Sequence, residues 1–489
     1  MIAHCKYGAS RLIRIGVCAI AGLFAALPAA AQSSGLHLPP VKKVQFSNGM
    51  TVWMVERHEL PLVDFSVVIK AGSVADPAGN EGTASLTAAL LRKGAGARTA
   101  DQFSADLDFI GGRFAANAGA DTTTLSAEFM SKDLTRGLEL LSDALLHPAF
   151  PAEEFTKLQK QRLDAVHASR DSAQAVIGAY FNAYLYGNHP YARPVGGDEN
   201  SLAAITRDSV EKFYAASYSP KNTILVVVGD FRAGAMEALL REKFGSWIAA
   251  GSRAENVAAS APFQGKKLLL VDKPDSTQTY FQIGNVGIAR NNPDRIAIQL
   301  VNTLFGGRFT SMLNEELRVK TGLSYGASSS FTQMRAPGPF RMSSYTRNAT
   351  TERALDLALA TLARLHEQGV TAEELASAKN FVKGQFPDSV ETSEQLGARL
   401  AELAYYGLDE SELTEFAAKI DAVTLDDARR VIRQYFPQEN LVFVVVGKAS
   451  EIGSVVKKYA PHVDQVSIST PGFGAVPAAI AVVPRMRNH

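Results

Sequence analysis

The chain has 489 residues, of which 46% are hydrophobic and 20% charged, and its 50 basic and 49 acidic side chains leave a net charge of +1. That length exceeds one ordinary hydrophobic core, so we expect two or more domains. The charge balance argues against nucleic-acid binding, because no basic excess is available to neutralise phosphates.

Residues 1–31 have the pattern of a secretory signal peptide. Three basic residues precede an apolar stretch at 15–27, and Ala29 and Ala31 fit an A-x-A cleavage site. Both cysteines fall in this segment, so the mature chain would contain no disulfide, thiol nucleophile or cysteine-bound metal. No later stretch has the roughly 18 apolar residues of a membrane span. We therefore predict a bacterial periplasmic protein.

The two halves of the remaining chain share one order of predicted elements. Each half starts with a predicted β-hairpin and continues with long helical patterns. The hairpins are predicted in 51–73 and 266–288, and the helices in 131–146, 152–169, 172–186, 351–367 and 371–382.

A repeated segment closes each half. The stretches that begin at Thr206 and Thr424 both predict a capped helix, a Pro-containing turn and a buried Val-rich strand that ends in glycine. They lie about one domain length apart, which indicates duplication rather than an array of short repeats. We therefore predict an α+β fold of two duplicated domains, each a mainly antiparallel sheet packed with helices.

The predicted boundaries follow changes in composition, with a small, polar linker between the halves and a Pro- and Ala-rich end. They are 1–31 for the signal peptide, 41–248 for the N-terminal domain, 249–265 for the linker, 266–465 for the C-terminal domain and 466–489 for the tail.

The mature chain lacks the histidine spacing of a catalytic zinc site. No two of its histidines lie three to five residues apart, and neither H-E-x-x-H nor H-x-x-E-H occurs. Two imidazoles and a carboxylate on one helix face are the usual minimum for such a site. The stretch 81–96 instead predicts a helix with a face of very small side chains, formed by Ser85, Ala88 and Ala89.

The segment 304–331 contains a Gly-rich turn, a predicted helix, a Lys-Thr-Gly turn and a Ser-rich strand. Arg318 lies near the end of that helix, and Tyr325 follows seven residues later, at the start of the strand. A guanidinium and a phenol could together hold a peptide carbonyl and stabilise an oxyanion. The same spacing also fits a structural pair, in which the Arg satisfies helix-terminal carbonyls and the Tyr packs on the sheet.

Several segments together resemble the pitrilysin/insulinase superfamily of inverted-motif zinc peptidases, in its two-domain branch similar to mitochondrial processing peptidase. They occur in the family's order, and the resemblance runs from about residue 41 to about residue 460. The segments are 72–96, 111–129, 186–197, 218–231 and 313–331.

The resemblance implies that the metal site of this family has been lost here. On the family's H-x-x-E-H pattern, Ser85 and Ala89 stand in place of the two histidines, and Ala88 stands in place of the catalytic glutamate. The distal glutamate ligand aligns at or beside Ala165. These are degenerate metal-site positions, so we expect no catalytic zinc in this chain by itself.

The same resemblance implies a non-catalytic subunit of a heterodimer. Arg318 and Tyr325 would hold an unfolded peptide substrate in the active site of a homologous partner subunit that carries zinc and an intact H-x-x-E-H. The alternative is a peptide-binding or scaffold protein on an inactive peptidase fold, and a peptidase with a rearranged metal site is a third possibility.

Overall fold

The computed structural model describes residues 38–248 and 257–474. The predicted signal peptide, part of the predicted linker (249–256) and the end of the predicted tail (475–489) lie outside these ranges. Within the two described ranges, no helix is both long enough and apolar enough to cross a membrane.

Two six-stranded sheets form the framework, one in each half of the chain. The first contains β1 (Val41–Gln45), β2 (Thr51–Glu56), β3 (Leu62–Ile69), β6 (Arg113–Ala118), β7 (Thr123–Met130) and β8 (Thr223–Gly229), and β4 (Gly94–Ala95) and β5 (Arg98–Thr99) form a small ribbon beside it. The second contains β9 (Lys266–Asp272), β10 (Gln278–Val286), β11 (Ala327–Phe331), β12 (Pro339–Arg347), β13 (Leu441–Gly447) and β14 (His462–Ser467).

Helices connect and cover these sheets. Those of the first half are α1 (Thr83–Leu90), α2 (Ala100–Phe109), α3 (Leu134–Leu146), α4 (Ala152–Ser169), α5 (Ala173–Tyr186), α6 (Glu199–Ala204), α7 (Arg207–Ser217) and α8 (Ala233–Phe244). Those of the second half are α9 (Arg295–Asn302), α10 (Met312–Asn314), α11 (Thr351–Gln368), α12 (Ala372–Gln385), α13 (Ser393–Tyr406), α14 (Ser411–Thr414), α15 (Phe416–Ala422), α16 (Leu425–Tyr435) and α17 (Ala449–Val456).

The predicted hairpins are wrong, although their strands exist. In the first sheet the order is β1-β2-β8-β3-β7-β6, so β8 lies between β2 and β3 and keeps them from pairing. In the second sheet β13 separates β9 from β10 in the same way. Every residue of β8 and β13 is buried. Such uniformly apolar strands are most stable in the interior of a sheet, where both edges and both faces are covered.

The two sheets share one topology, which agrees with the predicted duplication. Strands β2, β8, β3, β7 and β6 correspond in order to β9, β13, β10, β12 and β11. Only the sixth strand differs, because β1 pairs antiparallel to β2 whereas β14 pairs parallel to β9. Most pairs are antiparallel, so the predicted fold class is confirmed.

One helix from each half packs on the sheet of the other half. Helix α5 packs its apolar face on β13 and β10 of the second sheet. Helix α13 packs on β3 and β8 of the first sheet, where Leu396 and Leu400 contact a buried layer that includes Val226 and Val228. Both halves therefore belong to one compact unit.

Polar contacts tie the β6–β7 turn of the first half to the β11–β12 turn of the second. Tyr191 donates its hydroxyl proton to Asp121 Oδ1 (2.7 Å), and the Ala336 N–H donates to the same hydroxyl (3.0 Å). The other oxygen of Asp121 accepts from the Arg335 N–H at 2.8 Å. Tyr191, in the segment 186–197, therefore links the β6–β7 turn of the first half to the β11–β12 turn of the second.

Residues just before the end of the described chain are also held by the first half. Arg170 is 9% exposed and donates to the carbonyl oxygens of Ile468 (3.0 Å) and Gly472 (2.9 Å). The same guanidinium bonds both carboxylate oxygens of Glu199. Strand β14 ends at Ser467, just beyond the predicted domain boundary at 465. The first residues of the predicted tail are thus anchored to the first half.

The Tyr191 contacts predict a measurable contribution to stability. Tyr191→Phe removes two hydrogen bonds and leaves a buried N–H at Ala336 without its acceptor, which should cost about 1–3 kcal/mol of unfolding free energy. Urea denaturation measures the difference. Tyr325→Phe is the matched control, because that side chain is 74% exposed and its loss should change stability by less than about 0.5 kcal/mol. Equal midpoints for both variants would contradict the contribution.

Candidate functional site

Helix α1 carries the predicted face of small side chains, and Asp76 fixes its N-terminus. The Asp76 carboxylate accepts from the N–H groups of Gly82 (2.8 Å) and Ala84 (2.7 Å), which satisfies two of the free donors at the start of the helix. Gly82 has φ = 102°, a conformation that favours glycine. Asp76 was not predicted from the sequence, where its only signal is an acidic residue in the turn before the helix.

The small face is a packing surface on one side and open on the other. Ala88 is completely buried, whereas Ser85 and Ala89 are half-buried. Helix α4 packs against α1, and Ala165 on that helix is exposed. The structure therefore brings Ser85, Ala88 and Ala89 onto one helix and places Ala165 on its neighbour.

The side chains at these positions do not fit zinc. Catalytic zinc takes imidazole nitrogens and carboxylate oxygens, and this set offers one hydroxyl and three methyl groups. Among residues 38–248 and 257–474, no three His, Cys, Asp or Glu side chains converge in a way that could hold a metal ion.

Arg318 is presented by an unusual helix. Helix α10 continues directly into a π-helical turn, Glu315–Lys320, and such turns are frequent at functional sites. Two carbonyls of this turn already have donors, since the N–H groups of Gly322 and Ser324 reach the carbonyls of Arg318 and Leu317 at 3.0 Å. The Arg318 side chain makes no hydrogen bond to a carbonyl of this turn, all of whose residues the structure describes.

The Arg318 guanidinium lies between two exposed aromatic rings. Its central carbon is 4.5 Å from the ring centre of Tyr325 and 4.7 Å from that of Phe309. Phe309 is 62% exposed and Tyr325 is 74% exposed. We call these three residues the Arg318 cluster. Cation–π attraction orients the guanidinium.

The donors of the Arg318 cluster are free to bind something else. In the part of the chain that the structure describes, neither the guanidinium nor the Tyr325 hydroxyl makes a hydrogen bond. Tyr325 precedes strand β11 rather than lying in it, so it does not pack on the sheet. The structure thus brings together the two residues singled out in the sequence and adds Phe309, whose only signal was its place after the Gly-rich turn.

The two candidate sites lie in different halves of the chain. Helix α1, with the small face, follows strand β3 of the first sheet, while the Arg318 cluster lies beside the outer strand β11 of the second. The small face of α1 therefore offers no metal ligand in the first half, and the second half presents hydrogen-bond donors at its surface.

Both halves of the chain match models of a known protein family. The model of insulinase (peptidase family M16) matches residues 51–199, and the model of the peptidase M16 inactive domain matches residues 204–382. The chain belongs to the M16 peptidase family. The predicted pitrilysin/insulinase superfamily is thereby confirmed. The first M16 match contains the small face of α1, and the second contains the Arg318 cluster.

Similar proteins and structures span most of the chain. It is similar to a crystal structure of a peptidase M16 inactive domain from Pseudomonas fluorescens, with a TM-score of 0.79, 27% identity and coverage of 83% of this chain and 98% of that one. An uncharacterised zinc protease of Mycobacterium leprae is 27% identical over 386 residues, 78% of this chain and 86% of its own length. A protease from Helicobacter pylori shares the fold, with a TM-score of 0.79 at 23% identity, 84% coverage of this chain and 100% of that one.

The contrast between Ala88 and Ala89 yields a stability prediction. Ala88→Glu buries a carboxyl group without a cation or a metal and should lower the unfolding free energy by about 3 kcal/mol. Ala89→Glu places the same side chain one residue along, where it can reach solvent, and should cost less than about 1 kcal/mol. Denaturant titration separates them, and a loss that is equal in both variants would contradict the burial at Ala88.

The buried carboxyl group of Asp76 should make the stability of the protein depend on pH. Burial raises the pKa of Asp76 from 3.8 to about 7, while the two donated N–H bonds act in the opposite direction. The folded state therefore holds this proton more tightly than the unfolded state. Its stabilisation is complete below about pH 4 and is lost as the pH rises through 7.

Unfolding free energies measured at pH 5 and pH 8 test this dependence. The native chain should lose more stability between the two values than Asp76→Asn does, because the amide does not titrate. Asp388→Asn, at an exposed carboxylate, should keep the native slope. An unchanged slope in Asp76→Asn would show that another group is responsible.

Proposed function

We propose that this M16 protein is the non-catalytic subunit of a heterodimeric periplasmic zinc metallopeptidase. In this proposal, Arg318 and Tyr325 bind the backbone of a peptide substrate in the active site of a homologous subunit that carries zinc and an intact H-x-x-E-H. The observation that carries it is the exposed Arg318 cluster, whose donors have no partner among the described residues.

The chemistry of the cluster suits a carbonyl or an oxyanion. Arg318 offers a rigid, positively charged fork of N–H donors, and the Tyr325 hydroxyl adds one donor. Two donors directed at one oxygen bind a peptide carbonyl and bind it more strongly as negative charge develops. The contribution of this chain is therefore to bind and orient the substrate.

The small face of α1 supports a mechanism in which another subunit supplies the zinc and the general base. Four degenerate positions together supply no metal ligand and no general base, so hydrolysis would need both from another subunit. Unpaired imidazoles and carboxylates left in this cleft would cost desolvation free energy, whereas methyl groups pack without that cost. A helix that has lost its ligands can thus remain stable.

The proposed location rests on the N-terminal sequence. The first 31 residues match a signal peptide, and the remainder contains no cysteine, which suits an oxidising compartment. Fractionation of the native host, with detection of the mature chain outside the cytoplasm, would test this part separately.

Peptide hydrolysis by a reconstituted pair tests the role of the cluster. This chain is co-purified with a secreted homologue that has an intact H-x-x-E-H, and turnover of a fluorogenic peptide is measured. Arg318→Ala should lower kcat/KM by about 100-fold and Tyr325→Phe by about 10-fold, as expected for loss of donors to an oxyanion. Arg318→Lys should recover little, because an ammonium lacks the planar fork.

Arg353→Ala is the matched control for loss of a positive charge. Arg353 is exposed on α11, and the structure shows no hydrogen bond or ion pair for its side chain within the described residues. Its variant should retain the activity of the native pair. Unchanged hydrolysis with Arg318→Ala would exclude the active-site role, and a failure of the two chains to associate would favour the scaffold alternative.

A further inference from the structure

A groove of about 650 Å³ lies on the face of the second sheet that helix α5 covers only in part. Its floor is formed by strands β10, β12 and β11, and Ile177 of α5 closes one side. The volume is within the range of about 300–1,000 Å³ that is usual for ligand-binding sites. It therefore has room for a peptide segment with its side chains.

The groove opens directly onto the Arg318 cluster. Phe309 lines the groove and also stacks on the Arg318 guanidinium at 4.7 Å. Gly326, the residue after Tyr325, lines the groove as well. A peptide residue extends about 3.5 Å of chain. The side chain that enters the groove thus belongs to a residue close to the carbonyl held by the cluster.

Backbone pairing with strand β11 is blocked along its outer edge. The Ala327 N–H donates to Asn314 Oδ1 at 3.3 Å, and the Ser329 carbonyl accepts from Asn302 Nδ2 at 3.0 Å. The Gly-rich turn passes so close that a Cβ on Gly306 would lie 2.4 Å from the Ser329 nitrogen. A peptide cannot add here as another strand, so recognition must come from side chains that enter the groove.

The groove walls favour an uncharged ring or a long aliphatic chain. Tyr280 and Tyr345 stack at 5.0 Å with an angle of 16° and form a flat aromatic wall. Among the described residues, no carboxylate lines the groove and Arg308 is its one charged side chain, which donates through Nη1 to Ser377 on α12 at 3.0 Å. An entering lysine would lose hydration without gaining an ion pair. A carboxylate could still pair with Arg308, whose buried Nε has no hydrogen-bond partner in the part of the chain that the structure describes.

We propose that this groove binds an aromatic or long aliphatic side chain of the substrate peptide, beside the carbonyl that Arg318 and Tyr325 hold. The inference rests on the proposed function, because the cluster gives the peptide its position. The groove supplies selectivity for the side chain, and the cluster supplies contacts to the backbone that every peptide shares.

Two serines on β11 provide a matched pair of variants. Ser328 and Ser330 are both exposed and point to the same face of the sheet, but only Ser328 lines the groove. Ser328→Phe should fill the groove, while Ser330→Phe adds the same ring to the same strand beyond it. Equal thermal midpoints for the two variants would establish that both retain the fold.

Binding to the chain alone tests the groove without a partner subunit. Fluorescein-labelled peptides of one Gly/Ser/Ala host sequence differ only in a central Phe, Leu, Lys or Ala, and anisotropy gives their Kd. The Phe and Leu peptides should bind about 10-fold more tightly than the others, as expected when one large apolar side chain is buried. Ser328→Phe should abolish this preference, and Ser330→Phe should keep it.

The outcomes separate this inference from the proposed function. Equal affinities for Phe, Ala and Lys peptides would contradict side-chain binding in the groove, and so would a preference that survives Ser328→Phe. Either result would do so even if Arg318→Ala abolishes hydrolysis by the pair. A preference that is lost only in Ser328→Phe would support side-chain binding in the groove. If hydrolysis by the pair were also insensitive to Arg318→Ala, the active-site role of the Arg318 cluster would be overturned.

Discussion

The fold depends on one constraint, the need to cover both faces of a central strand that has no polar side. Every residue of β8 and β13 is buried, so each sheet needs a helical layer on either face. Helices of the same half cover one face, and α5 and α13 cross over to cover the other. The exchange makes the two halves interdependent, because separating them would expose the apolar faces of both sheets.

The helices that pack on the sheet of the other half also determine which part of a sheet face stays open. Helix α5 is too narrow to cover the whole second sheet, so the face toward β12 and β11 stays partly open. There the apolar layer gives way to serines and to the stacked Tyr280 and Tyr345. Both the groove and the Arg318 cluster lie at this side of the sheet, which places the exposed donors beside an apolar wall.

Local signals predicted the elements well, and long-range contacts explain what was missed. Helices with a Thr cap, such as the one after Thr424, could be located because the capping contacts lie within four residues. The pairing of β2 with β8 could not be predicted, because β8 lies far along the chain and takes the place beside β2 that the sequence assigned to the nearer β3. Arg318 and Tyr325 were found from their spacing and the family resemblance, whereas Phe309, nine residues before Arg318, contacts the guanidinium only in the folded chain.

The two candidate sites differ in what folding requires of them. Ala88 is completely buried, so helix packing favours a small side chain at this position. The Arg318 cluster has no such explanation, because cation–π contacts at an exposed site contribute only about 0.5–1 kcal/mol and leave two aromatic rings largely in water. Burying those rings would stabilise the chain more. Under the proposed function, a substrate peptide would cover these rings, and its carbonyl oxygen would accept hydrogen bonds from Arg318 and Tyr325.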